Sequence, residues 1–352
     1  MRLLSARLVG VGPFRDEVFP FYDESGSPRA VTVIVGAGGV GKTTLLSAIA
    51  HTRPGNAVVT AALGHTDDSE ALPFVITDWG LGVDDPERPH ALRVSTPTSY
   101  ARGFDADDAE VLRRREQAHF DKRAREGGFA LLVLPATRWF SRTPLNLSAP
   151  ARSVGRYDVR AAIAFEDASR GDLTREIKQA LAYAEIAAAL ASGGADRGRG
   201  LELLGRAMRA AVQASLERTE YAYEGLDAVT LEPTFRAMPG RLRRFDELPT
   251  AYRHLVAFAA LTVRTLWAAY PGQDPASSEG VVMIDEVDSG LEPSLAAAVL
   301  DRLSACLPHV QWIATTSSPA AAAGRDAPDI LALRRTHDDH VELHVGSTAL
   351  TH

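Results

Sequence analysis

One stretch constrains this chain more than any other: Gly36-Ala37-Gly38-Gly39-Val40-Gly41-Lys42-Thr43-Thr44. It follows a β-branched run at 31–35 and opens into an apolar run at 45–50 that reads as a helix. Glycines let a loop curl so that successive backbone N–H groups converge on an anion. A helix that begins there adds its partial positive charge. Strand, glycine-rich loop, Lys-Thr and helix together predict a phosphate cradle. Gly36, Gly38, Gly39, Val40, Gly41, Lys42, Thr43 and Thr44 are its expected lining. Lys42 is in reach of the β- and γ-phosphates of a nucleotide, and the Thr43 hydroxyl can ligate Mg²⁺.

A second anchor lies far downstream. Val281-Val282-Met283-Ile284 is a buried-strand pattern that ends on Asp285 and Glu286. Such a strand delivers its acids to the carboxyl edge of a parallel sheet, where phosphates bind. Asp285 is the candidate for the Mg²⁺ shell, and Glu286 for polarising an attacking water. Val287-Asp288-Ser289-Gly290-Leu291-Glu292-Pro293 then turns into a helix near 294–306.

The rest of the chain is placed around these two anchors. Residues 3–9 and 17–21 predict a hairpin around Gly10-Val11-Gly12-Pro13, with Phe14 and Arg15 at its tip. Arg15 is either a surface residue of an edge hairpin or a contact for the nucleotide. Short strands at 58–63, 72–79 and 91–95 predict a β-rich side layer. Residues 105–126 predict a solvated helix, acids first and bases later, whose Arg113-Arg114-Arg115 run also suits nucleic acid. The run at 129–134 predicts a strand buried on both faces. It ends on Pro135-Ala136-Thr137-Arg138, and Arg138 is there either for a ligand or for a structural ion pair. Helices are expected at 172–192 and 200–220, as an α-hairpin inserted after that strand. A short strand at 229–231 precedes Arg241-Leu242-Arg243-Arg244, and 252–270 is apolar nearly all round, the pattern of a buried helix. A strand at 311–316 and a hairpin from 330–333 and 341–345 close the chain.

With 352 residues the length admits one large domain or two. The formal net charge of −7 argues against a globally basic nucleic-acid binder but leaves local patches open. Cys306 is the sole cysteine, so no internal disulfide can form, which fits a reducing cytoplasmic setting. No apolar run reaches the ~18 residues needed to span a bilayer.

The order of these pieces carries a resemblance. Hairpin with Gly-Pro-Phe, P-loop, apolar strand ending in Pro-Ala-Thr-Arg, helical insert, Leu-Pro-Thr-Ala-Tyr-Arg, Ile-Asp-Glu-Val-Asp-Ser-Gly-Leu-Glu-Pro and Ala-Thr-Thr-Ser-Ser-Pro together resemble the ABC-type ATPases. More narrowly, the chain is similar to the stand-alone branch with RecF, the SMC heads, the OLD-type proteins and the ATPases of Septu- and retron-associated anti-phage systems. The resemblance implies an α/β P-loop NTPase fold. It implies a mixed central sheet, a β-rich side layer and an inserted α-helical lid at 141–228 within a single domain of residues 1–352. It also implies ATP and Mg²⁺ as cofactors, and a homodimer or higher assembly with ATP between two copies. In such an assembly Pro249, Thr250, Ala251, Tyr252 and Arg253 would form the signature that meets the partner copy's nucleotide. Ser317 would take the switch position.

Three departures from the family pattern bear on activity. Pro249 and Ala251 replace the Ser and Gly of the signature, and Pro249 has neither hydroxyl nor backbone N–H. Ser317 replaces the usual His and has no imidazole to relay a proton. Pro-Ala-Thr-Arg stands where a Q-loop Gln is expected. Slow hydrolysis, with ATP acting chiefly as a clamp, is expected from these departures, and the resemblance implies a switch that acts through a separately encoded nuclease or toxin with no role at a membrane. A RecF-like DNA-binding ATPase and an ATP-binding scaffold without turnover are the alternatives.

Overall fold

A computed structural model describes residues 1–52, 74–80, 92–95, 118, 130–145, 172–191, 199–322 and 324–346. The expected strand at 58–63 lies outside them, as do nearly all of the expected charged helix at 105–126 and much of the loop at 141–171.

In chain order the strands and main helices are β1 Arg2–Val11, β2 Phe14–Pro20, β3 Val31–Gly36, α1 Lys42–His51, β4 Phe74–Gly80, β5 Leu92–Ser95 and β6 Leu131–Leu134. Next come α2 Thr174–Ala191, α3 Arg199–Ser215, β7 Tyr221–Leu226, β8 Pro233–Ala237, β9 Arg241–Arg244 and α4 Thr250–Ala269. β10 Gly280–Ile284, α5 Pro293–Cys306, β11 Val310–Thr316, β12 Ile330–Arg335 and β13 Val341–Val345 follow.

The central sheet has the order β13-β12-β3-β11-β10-β6. Its inner pairings are all parallel, and β13 runs antiparallel to β12. Its inner strands are buried on both faces, which is why they read as unbroken apolar runs. Because side chains alternate along a strand, each strand divides its residues between two cores. Val33, Val35, Leu132, Leu134, Val282, Ile284 and Trp312 face the core built with α2 to α5. Ile34, Leu131, Val133, Val281, Met283 and Ile313 face the core built with α1 and an antiparallel sheet ordered β2-β1-β4-β5. That second sheet is the expected β-rich side layer.

The helix α4 is the centre of the first core, and every residue from His254 to Leu266 is buried. Its pattern is apolar on all sides because it has protein on all sides. Burial of Leu255, Phe258 and Leu261 contributes roughly 1.5–3 kcal/mol each. Within it, Thr262 and Thr265 return their hydroxyls to the carbonyls of Phe258 and Leu261, both at 2.7 Å, so their burial leaves no hydroxyl unbonded. The helices α2 and α3 lie against it and place Ile177, Leu181, Leu204 and Met208 in the same core. On α2, Lys178 is buried but meets Asp246 at 2.6 Å, Glu232 at 3.0 Å and the Thr143 carbonyl at 3.0 Å. This cluster ties α2 to the short turn just ahead of α4.

The strand expected at 229–231 is a turn instead. Asp227 accepts the N–H groups of Val229 at 3.1 Å and Thr230 at 2.7 Å, and Leu231 takes a positive φ of 57°. Val229 is 90% exposed. The strands flank this turn as β7 and β8, and β9 completes a three-stranded antiparallel sheet with the Arg241–Arg244 run on its edge. No helix among the described residues is long and apolar enough to cross a membrane.

Candidate functional site

The site lies at the carboxyl edge of the central sheet, and strand register builds it. Val35 of β3 stands opposite Thr316 of β11, and Ala314 opposite Ile284 of β10. One step further on, Gly36 stands level with Ser317, and Asp285 stands level with Thr315, two residues back along β11 from Ser317. Leu333 of β12 closes the rim beside Gly36.

The loop between β3 and α1 is held from several directions. A Cβ at Gly36 would stand 2.7 Å from Val40 Cγ2 and 2.9 Å from the Leu333 carbonyl oxygen. Gly41 has φ +91°, and a Cβ there would meet Pro13 Cγ at 2.7 Å and Phe14 Cζ at 2.8 Å. Only glycine satisfies both demands. The β1–β2 turn thus presses its tip onto the start of α1, and Gly12 of the same turn sits against Thr44. Arg335 Nη2 donates to the Gly39 carbonyl at 2.6 Å. Gly38, Gly39 and Thr43 are exposed, while Val40 is buried. Arg15 is exposed on β2, one residue beyond the Phe14 that touches Gly41.

Lys42 is buried and donates to the loop's own carbonyls, Gly36 O at 2.6 Å and Ala37 O at 2.9 Å. Burial lowers its pKa from the ordinary lysine value, and Glu286, Asp285 and Asp288 partly oppose that shift. Thr43 Oγ1 donates to Asp285 Oδ2 at 2.7 Å, a contact across 242 positions of chain. The other oxygen of Asp285 accepts from Thr315 Oγ1 at 2.5 Å, and Asp285 is fully buried. Glu286 is exposed at the strand end. Its N–H is bonded to Thr315 Oγ1 at 2.8 Å, and its backbone is left-handed, with φ +47°.

Arg138 stands behind these acids. It forms no ion pair among the described residues. Its guanidinium donates instead to the carbonyls of Pro135 at 2.7 Å, Glu286 at 2.8 Å and Asp285. It also lies over the Phe258 ring, 5.2 Å from the centroid. Burial lowers its pKa to about 10.

The signature segment is placed differently. Pro249 and Thr250 are exposed at the start of α4, and Ala251, Tyr252 and Arg253 are half-buried. Arg253 Nη2 reaches Thr250 Oγ1 at 3.3 Å and lies over Phe140, 5.3 Å from the ring centroid. Tyr252 donates to Glu220 at 2.7 Å. Among the described residues, no hydrogen bond joins this segment to the P-loop or to the acid pair. One residue further along, His254 bonds the Ser289 carbonyl through Nδ1 at 2.9 Å. A carbonyl only accepts, so Nδ1 carries the proton. The other ring nitrogen is buried without a hydrogen-bond partner among the described residues. Burial, with Arg138 nearby, lowers the His254 pKa to about 4.

The structure therefore gathers residues 36–44, Asp285, Glu286 and Ser317 at one rim and leaves Pro249–Arg253 outside that bonded set. Sequence reasoning missed the parts played by Thr315, Arg335 and Arg138. Thr315 sat within the quoted Ala-Thr-Thr-Ser-Ser-Pro, and its neighbours gave a signal. Arg335 and Arg138 bond backbone carbonyls, which carry no sequence signature.

No family model matches the chain. The SMC head with an extended coiled coil from Pyrococcus furiosus, bound to the C-terminal domain of ScpA, is similar with a TM-score of 0.56 at 14% identity. That likeness covers 99% of this chain and 96% of the other. The SMC head of Thermotoga maritima gives 0.50 at 16% identity, over 98% and 99% of the two chains. The fold is that of an ABC-type ATPase head. In sequence, the chain is 29% identical over 84 residues to the Septu protein PtuA of Bacillus mycoides (strain KBAB4). That segment is 23% of this chain and only 11% of the relative's length.

Proposed function

We propose that this chain is an ATPase head that binds ATP with Mg²⁺, pairs with a second copy around the nucleotide and hydrolyses it slowly. In this reading the paired state switches a separately encoded effector, a nuclease or toxin, in prokaryotic cytoplasmic defence. The observation that carries it is the 2.7 Å bond between Thr43 and Asp285. A hydroxyl and a carboxylate held together beside a phosphate cradle are hard oxygen donors of the kind Mg²⁺ takes alongside phosphate oxygens. Thr43 and Asp285 would hold the ion, which when bound neutralises phosphate charge. Lys42 is the cation for the β- and γ-phosphates, and residues 36–44 offer their backbone N–H groups. The exposed Glu286 carboxylate is the group to accept a proton from water. Ser317, at the next strand end, can hydrogen-bond a phosphate oxygen. Arg15, beside the tip that touches Gly41, is the weaker candidate for a nucleotide contact.

Support for a protein partner comes from likeness. The Pyrococcus SMC head is bound to a domain of ScpA, and the Septu relative points to defence. Pairing would bring Pro249–Arg253 of one copy to the nucleotide of the other, a use that the exposure of Pro249 and Thr250 at a helix N-terminus permits. The insert at 141–228 is proposed as part of the same domain, a lid whose inner helices join the main core. Its test is direct. Glu286→Gln with ATP and Mg²⁺ should elute as a dimer on a sizing column, and wild type should release phosphate faster than the variant. A Glu286→Gln chain that stays monomeric with ATP and Mg²⁺ would defeat the pairing.

A second reading, a DNA-binding repair head, rests on β9. Arg241 and Arg243 form no ion pair among the described residues, and Leu242 beside them is 52% exposed. Binding to duplex DNA that falls steeply with salt would favour it. A scaffold that binds ATP without turnover is favoured if wild type and Glu286→Ala release phosphate at equal rates, since Pro249, Ala251 and Ser317 all lack a family group.

A further inference from the structure

The acidic turn holds an unusual conformation, and one side chain spans it. Glu286 is left-handed, with φ +47°, a region that side chains with a Cβ avoid. The other non-glycine residues with positive φ among those described are Arg218 and Leu231, outside the central sheet, and Asp339, in the turn between β12 and β13. A conformation of this kind persists only where its surroundings over-determine it. Here both of its peptide groups are gripped. Thr315 takes the Glu286 N–H at 2.8 Å, and Arg138 Nη2 takes the Glu286 carbonyl at 2.8 Å while Nη1 takes the carbonyls of Asp285 and Pro135. Arg138 is buried, lies on Phe258 and forms no direct ion pair among the described residues, while the charges of Asp285, Glu286 and Asp288 partly oppose the cost of its burial. The planar fork of arginine presents two nitrogens in a fixed geometry to successive carbonyls, whereas a lysine ammonium would reach them from a single nitrogen on a flexible stem.

We propose that Arg138 is a positioning residue for hydrolysis: it holds the Glu286 backbone in its left-handed form so that the carboxylate stands at the attacking water. This rests on the reading of Glu286 as the group that polarises that water. It assigns Arg138 no contact with the nucleotide. Displacing a reacting group by about an ångström costs up to roughly 100-fold in rate.

The test compares Arg138→Lys and Arg138→Ala with wild type, each with and without Glu286→Gln. The readouts are steady-state phosphate release, affinity for a non-hydrolysable ATP analogue, and thermal unfolding. The expected result is a fall in kcat of about 100-fold for Arg138→Ala. KM and analogue affinity should stay within about twofold, a split that general unfolding does not produce. Added guanidinium ion should restore part of the Arg138→Ala rate. On the Glu286→Gln background, Arg138→Ala should cost nothing further, because the two residues act through one carboxylate. The inference is overturned if the Arg138 variants keep the wild-type rate, if rate and affinity fall together, or if the losses add in full. Should Arg138→Ala fail to fold, Arg138→Lys decides by the same split between kcat and affinity. Equal rates for wild type and Glu286→Gln overturn the reading of Glu286 and this inference with it. A Glu286-dependent rate that Arg138 does not touch overturns the inference alone.

Discussion

The P-loop rim and the start of α4 differ in how they are held. In the first, Lys42 and Asp285 are buried, and each makes two short hydrogen bonds to groups of the same chain. In the second, Pro249 and Thr250 are exposed, and the bond from Arg253 to Thr250 is long at 3.3 Å. The first region is held together by bonds within one chain. The second leaves a helix N-terminus open to whatever approaches from outside. Prearrangement belongs where a charged ligand is gripped, and openness where a surface is to be met.

The comparison can be broken at its strong end first. Lys42→Ala should weaken ATP binding by about 100-fold, roughly 3 kcal/mol, since hydrogen bonds to charged groups are the strong ones. Titration calorimetry with ATP and Mg²⁺ measures it, and a loss under fivefold would mean that the cradle is not prearranged for ATP.

His254 is placed where the two regions meet, because it belongs to α4 and bonds the turn after the acids. Its folded pKa, about 4, is below the ordinary value near 6.5. Between those values the unfolded chain binds more protons, so stability rises with pH there. The contribution is complete above about pH 6.5 and is lost as pH falls toward 4, on the order of 2–3 kcal/mol in all. Urea unfolding at pH 7 and pH 4.5 should show that loss in wild type and a smaller one in His254→Gln. Equal losses would remove His254 as their source.

Gly36→Ala places a methyl group 2.7 Å from Val40 Cγ2 and 2.9 Å from the Leu333 carbonyl. Overpacking of this kind should lower stability by about 1–3 kcal/mol in denaturant titration and weaken ATP binding as well. The smallest effect is expected at the open end. Thr250→Ala should change monomer stability by less than about 0.5 kcal/mol and leave ATP affinity intact. If Thr250 meets a second copy's nucleotide, the same variant weakens ATP-driven pairing on a sizing column. Unchanged pairing would separate Thr250 from the proposed signature.

Legibility in the sequence followed the same division. The P-loop and the apolar strands of the central sheet could be read because their physics is local: glycine at turns, and continuous apolar runs where both faces are covered. The all-round apolar pattern of α4 likewise foretold its burial. The sheet of β7, β8 and β9 could not be read. Its strands are four to six residues long, β7 is bulged near Gly225, and the Arg run of β9 looks like a loop. Arg138 was noticed as a charge at a strand end, but ligand and ion pair were the two readings weighed, and bonding to carbonyls was neither. Thr315 looked like one more hydroxyl in a strand until β10 was placed beside it.

The grip on the P-loop has a consequence for the order in which the protein is made. The loop is translated ahead of its walls: Arg335 holds its Gly39 carbonyl, Leu333 closes on Gly36, and Val341 donates to Pro13 in the turn that presses on Gly41. These contacts join positions about three hundred residues apart. A nascent chain released only as far as residue 60 carries the motif without the walls that shape it, and long-range pairings of this kind form late. Under the proposed function, tight nucleotide binding should therefore begin only after residues 333–341 have left the ribosome, which makes the ligand a reporter of the closed sheet.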